Sequence, residues 1–108
     1  MTTISPYSAI ADATRRAILD LLRDEGAQTA GGIAARFTTM SRPAISKHLR
    51  VLREADLVHA EERGREWHYT LHAAPLRPVY QEWLARYEPF WRDTLHRLKV
   101  HVEAHPDD

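Results

Sequence analysis

The fold of this chain is decided by residues 40–53, which read Met40-Ser41-Arg42-Pro43-Ala44-Ile45-Ser46-Lys47-His48-Leu49-Arg50-Val51-Leu52-Arg53. At about 3.6 residues per turn, Ile45, Leu49 and Leu52 fall on one side of a helix, in a stripe suited to a core. The other side carries the polar and cationic positions, which are Arg42, Pro43, Ser46, Lys47, Arg50 and Arg53. Ser41 can cap this helix, and Pro43 is tolerated in the first turn because the N–H groups there lack partners within the helix.

The charge of this region is one-sided. From Arg36 to Arg53 the sequence has five Lys or Arg residues and no Asp or Glu, although the formal net charge of the chain is zero. A helix with one apolar and one cationic face is typical of a reader of the DNA major groove, because phosphates attract the cations and Ser, Lys and Arg reach base edges. A solvated surface helix is the alternative at this point.

Length and composition predict a single domain over residues 1–108 of an ordinary globular class. The chain has 108 residues, of which 44% are hydrophobic and 28% charged, and it contains no Cys. The lack of Cys excludes disulfides, thiolate metal sites and a cysteine nucleophile. We expect a cytoplasmic protein, because no basic N-terminal region precedes an apolar run and no apolar segment approaches about 18 residues.

A helix-turn-helix is predicted over residues 29–55. Asp12 can cap a preceding helix from about Ala13 to Asp24, which Gly26 ends. Thr29 can cap a short helix that runs to Phe37, and a three-residue loop then leads into the cationic helix. Two helices with so short a connection, the second of them cationic, are typical of this motif.

A β-hairpin is predicted over residues 57–71, because the hydrophobic period changes there from 3.6 to 2. Val58 and Ala60 alternate with polar residues, and so do Trp67, Tyr69 and Leu71. The turn between them, Arg63-Gly64-Arg65, carries two cations that suit contact with a DNA backbone. A plain surface hairpin is the alternative, but its place directly after the cationic helix favours a wing.

A long final helix is predicted over residues 76–104, with many aromatic side chains on one stripe. These aromatic side chains are more numerous than a core of this size can bury. Large exposed apolar patches usually mark partner surfaces. The expected dimer interface comprises Val79, Tyr80, Trp83, Tyr87, Phe90, Trp91 and Leu95, with the N-terminal helix beside it. Core packing in a monomer is the alternative. Pro89 should either kink this helix or split it near Glu88.

Three strings carry a family resemblance: Asp12-Ala13-Thr14-Arg15-Arg16-Ala17-Ile18-Leu19-Asp20-Leu21-Leu22, Ser41-Arg42-Pro43-Ala44-Ile45-Ser46-Lys47-His48-Leu49, and Leu57-Val58 running into the Arg63-Gly64-Arg65 turn. In this order, over roughly residues 11–71, they resemble the ArsR/SmtB family of winged-helix repressors. With the aromatic last helix, the chain is most similar to the SdpR-like branch of small autorepressors without a recognised metal site. The expected fold is therefore mainly α with a small β-hairpin, a winged helix-turn-helix that dimerises through its N- and C-terminal helices.

The resemblance implies a homodimeric transcriptional repressor that binds an inverted repeat in double-stranded DNA. It assigns DNA contacts to Ser41, Arg42, Pro43, Ser46, Lys47, Arg50, Arg63 and Arg65. Within this set, Arg50 would contact phosphate, whereas Arg63 and Arg65 would be the wing contacts. His48 lies beside the apolar stripe, so we expect it to be packed or partly buried rather than a base contact.

No metal or other cofactor is expected, and no catalytic residue. Asp93, His96, His101, Glu103 and His105 lie near the C-terminus but lack the spacing of the family's known Asp/His site, so a zinc-responsive repressor is the alternative. His59, His68 and His72 are scattered along the hairpin, and we expect no site from them. A winged helix that docks an acidic protein is another alternative, whereas an enzyme is disfavoured because no catalytic motif is found. No small-molecule effector can be identified from the sequence, although an apolar one would fit near Trp83, Tyr87, Phe90 and Trp91.

Overall fold

The structure is a computed structural model, and it describes residues 3–94 and residue 97. Its helices and strands follow in the order α1 (Pro6–Ile10), α2 (Ala13–Glu25), β1 (Gln28–Thr29), α3 (Ala30–Arg36), α4 (Arg42–Glu54), β2 (Val58–Arg63), β3 (Glu66–Leu71) and α5 (Leu76–Glu82). A 3₁₀ helix, Leu84–Tyr87, comes after α5, and residues 88–94 are again helical. The predicted fold class, mainly helical with a winged helix-turn-helix, is confirmed. No helix of the described residues is long and apolar enough to cross a membrane.

The Asp-Ala-Thr-Arg-Arg string joins α1 to α2. The Asp12 carboxylate accepts a hydrogen bond of 3.0 Å from the Arg15 backbone N–H, which confirms the predicted cap of α2. The Arg15 side chain reaches back to α1, where Nε donates to the Ala9 carbonyl at 2.7 Å, and Arg16 donates in the same way to Ile10 at 2.7 Å. The last carbonyls of α1 lack partners within the helix, so these two arginines supply them.

The helices α2, α3 and α4 enclose the apolar core. The predicted inward residues of the cationic helix, Ile45, Leu49 and Leu52, are all buried. Further buried core residues are Ile18, Leu19, Leu21, Leu22, Ile33, Leu57, Val58 and Tyr69. Phe37 is partly buried and packs against this core. Because a single apolar stripe of α4 faces the core, its cationic side is left at the surface.

A three-stranded antiparallel sheet covers one side of the core, in the order β1-β3-β2. The hairpin was predicted, but β1 was not, since two residues are too short to show a period. Gln28 pairs with Tyr69 and Thr29 with His68, so β3 is the central strand. Thr29 also caps α3 by accepting from the Gly32 N–H at 2.9 Å. A Cβ at position 32 would lie 3.1 Å from the Thr29 hydroxyl, which explains a glycine there.

The prediction of one helix over residues 76–104 is wrong within the described part of that range, whereas the alternative of a split near Glu88 is confirmed. The helix α5 ends at Glu82, and Trp83 leaves helical geometry at φ −131°, ψ −62° before the 3₁₀ helix begins. Pro89 gives the physical reason, because in a continuous helix its ring would clash with the carbonyl four residues earlier, that of Ala85. Restarting the helix at residue 88 places Pro89 in a first turn, where proline is tolerated.

Residues 1–77 and residues 78–108 form two compact units. The single domain predicted over residues 1–108 stays a prediction. Within the second unit, the Tyr80 hydroxyl donates to the Glu88 carboxylate, which also accepts from Arg92. The hydrogen bond from Tyr80, together with the charge of Arg92, lowers the pKa of Glu88, and the same bond raises the pKa of Tyr80. This network holds α5 to the helical segment that follows the break.

Candidate nucleic-acid interface

The outward face of α4 is exposed from the N-terminus of the helix onward. The residues predicted to contact DNA from this region, Ser41, Arg42, Pro43, Ser46, Lys47 and Arg50, are all exposed. Ile45 and Leu49, which lie between them in sequence, are each 2% exposed. The helix therefore presents one polar, cationic face to solvent, as its periodicity predicts.

Ser41 fixes where this face begins. Its hydroxyl accepts a hydrogen bond of 3.2 Å from the Ala44 N–H, and its backbone stays extended at φ −74°, ψ 157°. Pro43 occupies the first turn, where no backbone donor is needed. The helix thus starts at Arg42, so that the guanidinium of Arg42 and the hydroxyl of Ser46 lie at its N-terminal end. This is the part of a recognition helix that usually contacts base edges.

The wing is a hairpin closed by two residues, Gly64 and Arg65, between the paired Arg63 and Glu66. Gly64 has φ +64°, and positive φ at the first loop position is the geometry of a type II′ turn, which favours glycine. Both predicted wing cations are exposed. Arg63 is bonded to Glu61 at 3.1 Å on its own strand, so that the two wing arginines differ in their surroundings.

A cleft of about 370 Å³ separates the wing from the start of α4. Its lining residues are Thr29, Ala30, Gly31, Arg42, Arg65, Glu66 and Trp67. Two predicted contacts that are distant in sequence, Arg42 and Arg65, thereby come to one concave surface. An anion in this cleft would be attracted by both arginines, whereas the Glu66 carboxylate would repel it.

Trp67 links the wing to α4 in a way that its pattern did not predict. Alternation placed its indole toward the core, yet 41% of the residue is exposed. The guanidinium carbon of Arg53 lies 5.4 Å from the centre of the indole ring, a distance that allows a cation–π contact. This contact joins the last turn of α4 to the central strand of the sheet and so helps to set the angle between helix and wing.

His48 lies behind the exposed face, as expected. Its side chain is 16% exposed, and Arg15 donates to its Nδ1 at 3.2 Å. The Asp12 carboxylate is 3.8 Å from the same nitrogen, which is too long for a hydrogen bond. The hydrogen bond from the Arg15 backbone N–H lowers the pKa of Asp12, and electrostatic interactions with His48 and the Arg15 guanidinium lower it further. Arg15 thus connects α1 and α2 to the inner side of α4.

The aromatic residues predicted for the dimer interface are mostly at the surface. Phe90 is 72% exposed, while Tyr80, Trp83, Tyr87 and Trp91 are each 43–46% exposed. Trp83 and Tyr87 contact edge to face, with 5.8 Å between ring centres. Val79 differs from the others because it is only 3% exposed within the chain, and its place in the interface stays a prediction. Leu95 lies outside the described residues.

The expected absence of a C-terminal metal set is not tested, since His96, His101, Glu103 and His105 lie outside the described residues. Asp93 forms an ion pair with Arg97 at 3.0 Å. In the hairpin, however, the structure brings together two of the three histidines that looked scattered, His59 and His72, next to Asp56. The register of the hairpin was the signal that could have found them.

Known proteins resemble this chain in sequence and in structure. Residues 10–61 match the family described as a helix-turn-helix domain. The chain is 42% identical over 71 residues to the transcriptional repressor SdpR of Bacillus subtilis, which covers 66% of this chain and 77% of that protein. It is 33% identical over 102 residues to the HTH-type transcriptional regulator Rv2034 of Mycobacterium tuberculosis, which covers 94% and 90% of the two chains.

Among solved structures, an ArsR-like transcriptional regulator from Rhodococcus sp. RHA1 superposes with a TM-score of 0.66 at 34% identity. The superposition covers 91% of this chain and 87% of the other. The likeness therefore extends over the helix-turn-helix and the wing together.

Proposed function

Because this chain belongs to the ArsR family of winged-helix, DNA-binding transcriptional regulators, we propose that it represses transcription as a homodimer bound to an inverted-repeat operator. Its family and fold are those of a transcription factor rather than an enzyme. The observation that supports the proposal best is the exposed cationic face of α4, which shares a cleft with Arg65 of the wing. In this proposal the protein acts in the cytoplasm, the compartment expected from its sequence.

In this proposal α4 is the recognition helix. Arg42, Ser46 and Lys47 contact base edges in the major groove, and Pro43 packs against the groove wall. Ser41 holds the N-terminus of the helix toward the DNA backbone, and Arg50 contacts a phosphate. At the wing, Arg65 and Arg63 contact the sugar–phosphate backbone or the minor groove.

The second copy binds through the exposed aromatic face of residues 80–91. Five aromatic side chains are exposed there within 12 residues, which is more apolar surface than a monomer usually leaves to water. A twofold-symmetric dimer presents two recognition helices to successive major grooves, about 34 Å apart, so the operator should be an imperfect palindrome.

Binding to sequences selected from random DNA tests the recognition helix. We expect Arg42→Ala to relax the sequence preference by about 1–3 kcal/mol per half-site. Arg50→Ala should weaken binding to all sequences. It should also reduce the slope of log K against log salt by about 1.8, because a homodimer loses one phosphate contact in each protomer and each contact contributes about 0.9. Arg23→Ala is the matched control, because this arginine of α2 is ion-paired with Asp20 and Asp24.

A footprint and a sequence preference unchanged by Arg42→Ala would contradict the assigned role. If the wild-type chain fails to retard any selected or promoter DNA at low salt, the cationic face instead docks an acidic protein. Fluorescence anisotropy at several salt concentrations distinguishes a change in sequence preference, or a failure to bind DNA, from a uniform loss of affinity.

The mass of the particle in solution tests the dimer. Light scattering after gel filtration should give twice the mass of the chain, and Phe90→Ser should shift the equilibrium toward the monomer. Trp67→Ser, which alters an exposed aromatic residue of the wing, serves as the control. A monomeric wild type at the concentrations that bind DNA would refute the homodimer.

A further inference from the structure

The junction between the end of α4 and the base of the wing gathers two imidazoles and a carboxylate. In the hairpin, His59 pairs with Thr70, so His72 is the diagonal neighbour of His59 on the same face of the sheet. The His72 N–H extends the ladder by donating to the Leu57 carbonyl at 2.9 Å. The two imidazole rings stack, with 4.2 Å between their centres and 28° between their planes. Each ring has a nitrogen close to the Asp56 carboxylate.

Asp56 supplies the carboxylate from an unusual backbone position. The end of α4 forms a Schellman motif, in which the Leu57 N–H donates to the Leu52 carbonyl at 2.9 Å and the Asp56 N–H to the Arg53 carbonyl at 3.0 Å. This motif places Asp56 at φ +60°, and Asp56 is the one non-glycine residue with positive φ in the described part of the chain. Glycine is the residue that adopts this conformation at least cost. The side chain at this position therefore suggests a use for its carboxylate.

The distances among these groups suit a tetrahedral metal ion. The His59 Nε2 lies 3.2 Å from Oδ1 of Asp56, and the His72 Nδ1 lies 3.4 Å from Oδ2. With metal–ligand bonds of about 2.0–2.1 Å, adjacent ligands of a tetrahedral zinc ion are separated by about 3.3–3.4 Å. One ligand atom from each of the three residues lies within 4.8 Å of the other two, so small side-chain rotations complete the shell.

We propose that Asp56, His59 and His72 bind a divalent transition-metal ion, Zn²⁺ first, with water in the fourth position. Two imidazoles and one carboxylate are ligands that zinc accepts, whereas Mg²⁺ prefers oxygen ligands alone. In the metal-free chain Nδ1 of His72 also contacts the Asp56 carbonyl at 2.7 Å, and this contact must give way when the nitrogen binds the ion.

The site differs from the C-terminal set considered from the sequence, and it does not depend on DNA binding. It joins Asp56, the second residue after α4, to His59 of β2 and to His72, which directly follows β3. A bound ion would add a cross-link between these elements that is stronger than the solvent-accessible contacts of His59 and His72 with the Asp56 carboxylate.

Calorimetric titration of the full chain with Zn²⁺ tests the proposal. We expect the His59→Gln/His72→Gln double variant to lose one equivalent of zinc per chain, while His68→Gln, from the same hairpin, retains it. Co²⁺ should give the visible absorption of tetrahedral coordination in the wild type but not in the double variant, and Mg²⁺ should not compete. Far-UV circular dichroism checks that each variant is folded.

Two results would overturn the site. One is a double variant that binds as many zinc equivalents as the wild type with affinity within about threefold, less than the tenfold or greater loss that even outer-shell changes produce. The other is that zinc binding disappears with His101→Gln/His105→Gln and is unaffected by changes at residues 59 and 72. Either result would place any bound metal on the C-terminal residues or make it adventitious.

Discussion

Replacing Arg15 with Met tests the connection between the N-terminal helices and the recognition helix. The substitution keeps the aliphatic stem of the side chain but removes its three hydrogen bonds. These are the Nε bond to the Ala9 carbonyl at 2.7 Å, the Nη2 bond to the Ser8 carbonyl at 3.3 Å and the Nη1 bond to His48 at 3.2 Å. Their acceptors belong to α1 and α4, so a single side chain joins three helices.

The expected loss of stability is about 2–3 kcal/mol. Hydrogen bonds from a charged donor contribute about 1.5–3 kcal/mol each when they are well formed, but bonds that share one side chain do not add fully. The bond to Ala9 is short and partly buried, while the bond to Ser8 is long and exposed. For a domain of this size, the loss should lower the melting temperature by about 10–20 °C.

Arg16→Met is the matched control, because its exposed guanidinium donates a single bond, to the Ile10 carbonyl. We expect it to lose no more than about 1 kcal/mol. Urea unfolding followed by tryptophan fluorescence and circular dichroism, at fixed protein concentration, gives both values. If Arg15→Met is within about 0.5 kcal/mol of Arg16→Met, the Arg15 bonds do not hold the helices together and the reasoning is wrong.

Three further comparisons of variants test local features. Asp56→Gly should raise the free energy of unfolding by about 0.5–1 kcal/mol relative to Asp56→Ala, because only glycine relieves the positive φ, and equal urea midpoints would refute this. Gly31→Ala should stabilise α3 by up to about 1 kcal/mol, whereas Gly32→Ala should gain less in the same assay because its Cβ would press on the Thr29 cap. Asp12→Asn should be less stable than the wild type near neutral pH. Since folding lowers the pKa of Asp12 below 3.8, this difference should vanish as the pH falls through the lowered value, and a difference that persists in acid would contradict it.

The sequence predicted the features that depend on local patterns, such as a regular spacing of apolar residues. The apolar stripe of α4, the caps at Asp12, Thr29 and Ser41, and the alternation of the wing each depend on nearest neighbours along the chain. The exposure of the cationic face followed from the same stripe, because burying Leu49 and its neighbours leaves the opposite side of a helix in water. Partial burial of His48 followed as well.

Features that depend on pairing between distant segments were not predicted. The strand β1 is too short to show a period and exists because Gln28 pairs with Tyr69. The split of the last helix was predicted from Pro89, but its start at Trp83, six residues before the proline, was not. The contact of Arg53 with Trp67 required the angle between α4 and the sheet.

By itself, then, the sequence determined that a cationic helix follows a short helix, precedes a wing and belongs to a family of DNA-binding regulators. The tertiary structure alone decided which of its polar groups meet. Arg42 and Arg65 line one cleft, and Asp56, His59 and His72 converge, because strand register and a helix end fix their positions. Local patterns record which way a side chain faces, whereas convergence depends on how separate elements pack.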